Sequence, residues 1–107
     1  MADIDCFMYA IRIQESGNNY RAFNSKSTAS GAYQFLDSTF HGALRIAGMG
    51  NSVYMSKSAW EAPPSVQDAA AHALMSNYFG RWGSWRSVAE AWYGGPGAVS
   101  HPGLLDG

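Results

Sequence analysis

The stretch DIDCFMYAIRIQESG, residues 3–17, decides how the rest of the chain is read. Ile4, Phe7, Met8 and Ile11 fall at i, i+3, i+4 and i+7, one apolar stripe of an α-helix. Asp3 suits the cap at its start, and Gly17 the stop just past its end. Four places beyond Ile11 the stripe reaches Glu15. A carboxylate in that register is aimed at the interior or at a cleft edge. It also lies in the last turn, where the helix dipole presents partial negative charge. Desolvation and dipole both disfavour the anion, so the pattern predicts a raised pKa and a group fit for general-acid work on a leaving oxygen. The position equally fits a part-exposed Glu at a frayed end, paired with Arg12 or Arg21. Helix phase alone does not separate the two.

Outward from this helix, residues 18–33 lose helical period and fill with Asn, Ser, Thr and Gly around Tyr20, Phe23 and Tyr33. They read as a loop or a small β-hairpin. A second helix is predicted from about Tyr33 to Ala47, with Leu36, Phe40, Ala43, Leu44 and Ala47 on one face and Gly48 at its end. Residues 49–64 look irregular and close on Pro63-Pro64. Ser65, with Asp68 three places on, suggests a capping box for a third helix to about Tyr78, stopping at Gly80. Residues 81–85 read as a turn, and a short fourth helix runs to Trp92 or Tyr93. The fold class is mainly α (α+β), in one domain over residues 1–107, with one small β element near the start.

Composition narrows the function. Seven Lys and Arg against eight Asp and Glu give a net charge of −1, scattered along the chain. Phosphate neutralisation needs a clustered basic face, so a nucleic-acid partner is not expected. At 47% hydrophobic the chain can bury a core, and its single cysteine, Cys6, rules out an internal disulfide and reads as a small buried hydrophobe. His41, His72 and His101 lie far apart without metal-ligand spacing, so no metal or other cofactor is expected. No segment approaches the roughly 20 apolar residues of a membrane span. The acidic start, Met1-Ala2-Asp3-Ile4-Asp5, does not read as a secretion signal. That points to a chain made without a signal peptide, or to a piece of a larger phage or cell-wall protein.

Glu15-Ser16-Gly17, then Ser30-Gly31-Ala32-Tyr33-Gln34-Phe35, then Glu90-Ala91-Trp92-Tyr93-Gly94-Gly95-Pro96-Gly97 occur in that order. Together they resemble the lytic transglycosylases of the SLT and goose-lysozyme-like kind. Residues 31–40 and 63–69 are also similar to phage endolysins and tail-associated wall-degrading domains. The resemblance implies a lysozyme-like fold with a β-hairpin beside the active-site cleft, and peptidoglycan glycan strands as substrate. It implies Glu15 as catalytic acid, Ser16 lining the cleft, Gly31 letting backbone approach the sugar, and Gln34 contacting it. Of the four tryptophans, Trp60, Trp82, Trp85 and Trp92, most read as core and Trp92 first as lining the cleft; Tyr33, beside Gln34, is the other aromatic placed at the sugar, and Tyr93 stands with Trp92 among the substrate-binding candidates. The family's Tyr-Asn pair is Trp92-Tyr93 here. The family tyrosine hydrogen-bonds the acid, so both Trp92 and Tyr93 stand as candidates to touch Glu15. Such enzymes act on the bacterial cell wall, and a phage-delivered or virion-associated route fits the start of the chain.

The two chemistries open to such a fold make different demands. A hydrolysing muramidase normally needs a second carboxylate about 5 to 9.5 Å from the first. A lytic transglycosylase needs one, because the substrate's N-acetyl group and C6 hydroxyl do the rest. Residues 16–33 contain no Asp or Glu, and the nearest later acid is Asp37. On a shared helix Asp37 would sit roughly 300° of rotation and one turn on from Gln34, and it reads as a solvated or capping residue. The sequence therefore favours a lytic transglycosylase giving 1,6-anhydromuramic ends. A hydrolytic muramidase is the nearest alternative, and a non-catalytic glycan-binding or phage-tail structural module the alternative of another class.

Overall fold

The computed structural model describes residues 3–99. Its α-helices are α1 (Asp3–Ser16), α2 (Asp37–Ile46), α3 (Pro64–Trp82) and α4 (Trp85–Gly94). Single 3₁₀ turns stand at Val53–Ser56, Ala59–Glu61 and Pro96–Ala98. Among the described residues there are no strands, and no helix is long and apolar enough to cross a membrane. Internal contacts group into two compact units, Met1–Leu74 and Met75–Gly107, dividing within α3.

The first unit holds the residues singled out around Glu15. Helix α1 buries Met8 and Ile11 and leaves Asp3, Asp5 and Tyr9 outside, as its stripe requires. Cys6 is exposed, which corrects the expected buried hydrophobe: it lies beside the apolar stripe and not on it. Two left-handed residues end the helix, Gly17 at φ 67° and Asn18 at φ 65°. Their N–H groups return to the carbonyls of Ile13 and Arg12, both at 3.0 Å, so the open helix end is satisfied.

The expected hairpin does not form. Residues 22–35 make only isolated bridges, Phe23 with Ser30 and Ser30 with Phe35. Left-handed Thr28 (φ 66°), Gly31 (φ 80°) and Gln34 (φ 54°) recur at every third position and turn the chain before a ladder can extend. Asn24 caps the first bend, its side-chain oxygen accepting from the Lys26 N–H at 3.0 Å. The N–H of Ala32, which a ladder would use, goes instead to a glutamine side chain on α3, Gln67, at 2.9 Å.

Helix α2 starts at Asp37, four residues later than the apolar pattern suggested. The reciprocal Ser30–Phe35 pair, both bonds 2.9 Å, holds residues 31–34 in a tight turn, and Leu36 is extended. Tyr33 and Gln34 therefore belong to the turn. The geometric argument that set Asp37 against Gln34 on a shared helix falls with it; Asp37 is an exposed first-turn residue facing the positive end of the dipole. The interior of this unit is aromatic and small: Tyr33, Phe35, Phe40, Ala43, Leu44, Ala70 and Ala71 are buried. Phe35 packs on Tyr33 at 6.0 Å and on Phe40 at 5.5 Å between ring centres.

Helix α3 also differs from its sequence reading. It starts at Pro64, whose missing N–H and fixed φ suit a first helical position, and Val66 and Gln67 donate to the Pro63 carbonyl. Ser65 is thus inside the helix and is not its cap. The reciprocal serine–glutamate arrangement occurs earlier, where the Ser58 N–H donates to Glu61 at 2.8 Å. Gly80 is passed without a break, and the helix ends at Gly83 (φ 78°). Within the second unit, Ser84 caps α4 by accepting from the Ser87 N–H, and Tyr78, Trp82, Val88 and Ala91 are buried.

Candidate active site

Glu15 ends up half-buried in the last turn of α1, where the Gly17–Asn18 reversal brings the chain back past it. It lines a shallow hollow of about 380 Å³ with Ala22, Phe23, Asn24, Ser25, Lys26 and Gln34. That size is in the range that accepts a small ligand or a sugar ring. Glu15 is the one carboxylate among these lining residues. Burial pushes its pKa up from the ordinary value, because a partly desolvated carboxyl resists ionisation.

The alternative of a Glu15 ion pair with Arg12 or Arg21 is not what the structure shows among its described residues. Arg12 is turned away. Its Nε donates to Asn18 at 2.7 Å, one of its terminal nitrogens donates to the Tyr33 hydroxyl at 2.9 Å, and the same nitrogen stands 3.9 Å from Asp68. Arg21 lies over the Trp60 ring at 5.8 Å.

Gln34 is brought to the same hollow as Glu15. It reaches it from the left-handed corner of the 31–34 turn, its Nε2 donating to the Gly31 carbonyl at 3.1 Å. Ser16 has another use. Its hydroxyl donates to the Ala32 carbonyl at 2.8 Å and accepts from the Asn19 N–H at 3.0 Å, tying the end of α1 to the loop. Ser16 thus holds the geometry beside Glu15 and is not among the residues lining the hollow.

Two sequence-derived assignments need correction. Tyr33 is fully buried, and its hydroxyl donates to Asp68 at 2.6 Å, so its ring has no face to offer a sugar. Burial and that hydrogen bond raise its pKa far above an ordinary phenol. Gly31 is buried as well: a Cβ there would stand 2.5 Å from Gln67 Oε1. Its missing side chain makes room for Gln67, and no sugar is needed to explain the glycine. Trp92 and Tyr93 belong to the second unit, where Trp92 meets Tyr78 edge-on at 6.3 Å and Tyr93 is exposed on the last turn of α4. His101 lies outside the described residues. Among the described ones, no group of three or more His, Cys, Asp and Glu could hold a metal ion.

Of the two residues that set the loop against α3, Gln67 was not singled out from the sequence and Asp68 was read only as part of a capping box. Gln67 is fully buried: its oxygen accepts from Ala32, and its nitrogen donates to the carbonyls of Tyr20 and Ala62, each at 2.9 Å. One turn-face over, Asp68 Oδ1 accepts from both the Tyr20 hydroxyl, at 2.7 Å, and that of Tyr33. Expected as a helix cap, Asp68 instead gathers two phenols and Arg12. A signal was present. Gln67, Ala70, Ala71 and Leu74 fall at i, i+3, i+4 and i+7, so a polar residue stands in an apolar register, as at Glu15.

Residues 5–105 match the family model described as Transglycosylase SLT domain. "Probable transglycosylase SceD" of Staphylococcus carnosus (strain TM300) is 45% identical over 65 residues, 61% of this chain and 25% of the relative. "Probable transglycosylase SceD 3" of Staphylococcus saprophyticus is 41% identical over 72 residues, covering 67% and 28%. "Probable transglycosylase SceD" of Staphylococcus aureus (strain Newman) is 37% identical over 83 residues, covering 78% and 32%. The matched part of the chain thus spans about a quarter to a third of these relatives. Their names carry nothing of the phage source that residues 31–40 and 63–69 suggested. No solved structure gives a significant match.

Proposed function

Because this chain belongs to the transglycosylase SLT domain family, we propose that it is a peptidoglycan lytic transglycosylase that uses Glu15 as its single general acid and base. Its substrate is the glycan strand, cut at the β-1,4 bond between N-acetylmuramic acid and N-acetylglucosamine. The observation that carries this reading is the hollow in which Glu15 is half-buried, beside Gln34, with no second carboxylate among the lining residues.

The chemistry balances around one proton. Glu15, whose pKa desolvation raises, donates its proton to the bridging oxygen as the C1–O bond breaks, and the N-acetylglucosamine side leaves as an alcohol. The positive charge at C1 of the muramyl residue is met by the oxygen of that sugar's own N-acetyl group. Glu15, now a carboxylate, takes the C6 hydroxyl proton as O6 bonds to C1 and closes the 1,6-anhydro ring. The acid is restored, and no water is consumed. Hydrolysis would need a carboxylate set about 5 to 9.5 Å across the scissile bond to serve as nucleophile or as base for water. Asp37 does not line this hollow.

Mass spectrometry of digested cell wall tests the proposal. Anhydromuramic ends are expected; reducible ends would overturn it in favour of a muramidase. Replacing Glu15 by Gln should slow cleavage by roughly 10²–10⁴-fold, the usual contribution of a positioned acid, while leaving glycan binding intact. A Glu15→Gln protein that clears walls at the parent's rate would remove Glu15 from the mechanism. Binding without any cleavage by the parent would point to a glycan-binding module.

A further inference from the structure

A second hollow adjoins the first. It is lined by Arg21, Phe23 and Trp60, and Phe23 lines both. Phe23 is 55% exposed, and Trp60 is half-buried with one face towards the Arg21 guanidinium. The backbone beneath these side chains is fixed: the Trp60 backbone N–H donates to the buried Ser30 hydroxyl at 3.2 Å, and the Arg21 backbone N–H donates to the Asn19 side-chain oxygen at 2.9 Å. Among the described residues no carboxylate comes within ion-pairing distance of the Arg21 guanidinium. Its donors are committed only to an aromatic face, which a guanidinium can share with an anion in its own plane.

Charge follows the same line. The residues of the two hollows carry two cations, Arg21 and Lys26, against Glu15 as the sole acid. The chain's overall charge of −1 conceals this local excess of positive charge. A linear ligand seated at Glu15 and continued past Phe23 meets aromatic rings, suited to the C–H face of a sugar, and then an uncompensated guanidinium.

We propose that Arg21, Phe23 and Trp60 form a further substrate subsite, which takes a muramyl residue and pairs Arg21 with a carboxylate on that residue's side arm. The inference rests on the glycan reading of the neighbouring hollow. Two sources carry this chemistry: the lactyl carboxylate of a peptide-free muramyl residue, and the carboxylates of an attached stem peptide. Neutral chito-oligosaccharides have the sugar faces without the anion.

The test reads binding, so it stands apart from whether the protein cleaves. In the Glu15→Gln background, dissociation constants are measured calorimetrically for peptide-bearing strands, peptide-stripped strands and a chito-oligosaccharide of equal length. Adding Arg21→Gln should weaken muramyl strands about tenfold, as expected for a lost charge pair, and leave the chito-oligosaccharide unchanged. Arg21 is exposed, so its replacement leaves the core intact, and Arg21→Lys should keep part of the affinity. A loss confined to peptide-bearing strands assigns the anion to the peptide; a loss on stripped strands assigns it to the lactyl arm. Unchanged affinity for both muramyl probes overturns the subsite. So does an equal loss on the neutral oligosaccharide, or failure of the Arg21-intact protein to bind any probe. Absence of anhydromuramic products with Arg21-dependent binding intact would instead sink the transglycosylase reading alone.

Discussion

Gly31→Ala separates a glycine needed by the fold from one needed by a sugar. Gly31 sits at φ 80°, where an alanine costs about 1–2 kcal/mol against the right-handed regions. Its new Cβ would stand 2.5 Å from Gln67 Oε1 and 3.1 Å from both Gln67 Cδ and Ala59 Cβ. Ordinary contact begins near 3.4 Å, so the carboxamide must withdraw by about 0.9 Å (3.4 less 2.5). Gln67 has nowhere to withdraw without loss, because its three hydrogen bonds are all 2.9 Å long and tie it to Ala32, Tyr20 and Ala62. Leaving one buried partner unsatisfied costs a further 1–3 kcal/mol or so. The total, about 2–5 kcal/mol, is a large share of a small domain's stability and should lower Tm by roughly 10 °C or more. Scanning calorimetry measures it, with wall-clearing activity assayed well below the variant's Tm. A Tm within about 2 °C of the parent would refute the packing argument. Lost activity at unchanged Tm would return Gly31 to the role of admitting backbone to the sugar.

The raised pKa of Glu15 carries a stability signature with a definite sign. Its neutral form is favoured in the folded state, so its contribution is fully present below the unfolded pKa and is lost as pH rises through the folded one. Glu15→Gln should therefore match the parent's Tm in acid and exceed it at neutral pH and above; equal Tm values at every pH would refute the desolvation. In the parent, kcat/KM should fall with rising pH through a limb displaced above the usual glutamate value of about 4.3. Gln67→Met keeps the volume but strands the Ala32 N–H and two carbonyls, and should destabilise by about 3 kcal/mol or more in denaturant titration. Asp68→Asn weakens the charge-assisted bonds from Tyr20 and Tyr33, and should cost about 1–2 kcal/mol, since Asp68 is partly open to solvent. Ultraviolet titration of the same variant should show Tyr33 ionising at lower pH, because the Asp68 carboxylate opposes the phenolate. Phe40→Ala, at a fully buried site, should cost about 3–5 kcal/mol.

Local periodicity and local chemistry were legible in the sequence. The stripe Ile4–Ile11 fixes the phase of α1, and the same phase puts Glu15 at a half-buried edge, with its pKa raised as expected. Gly17 and Gly48 mark helix ends because a left-handed residue is what each reversal requires. The family motifs at residues 15–17 and 30–35 likewise sit in sequence, and they led to Gln34, which the fold does place in the hollow with Glu15.

What the tertiary structure alone decided is where polar groups find partners across long separations. Gln67 reaches 35 residues back to Ala32, and Asp68 reaches as far to Tyr33 and further to Tyr20. No window of sequence prices such bonds, yet they take the N–H groups and hydroxyls that a hairpin or a sugar contact would have used. That is why the predicted hairpin became a series of left-handed turns, why α2 begins at Asp37, and why Tyr33 and Gly31 serve the interior. The sequence could put Glu15 at the edge of an apolar stripe; only the folded loop, pinned by Gln67 and Asp68, set Gln34 and Phe23 beside it.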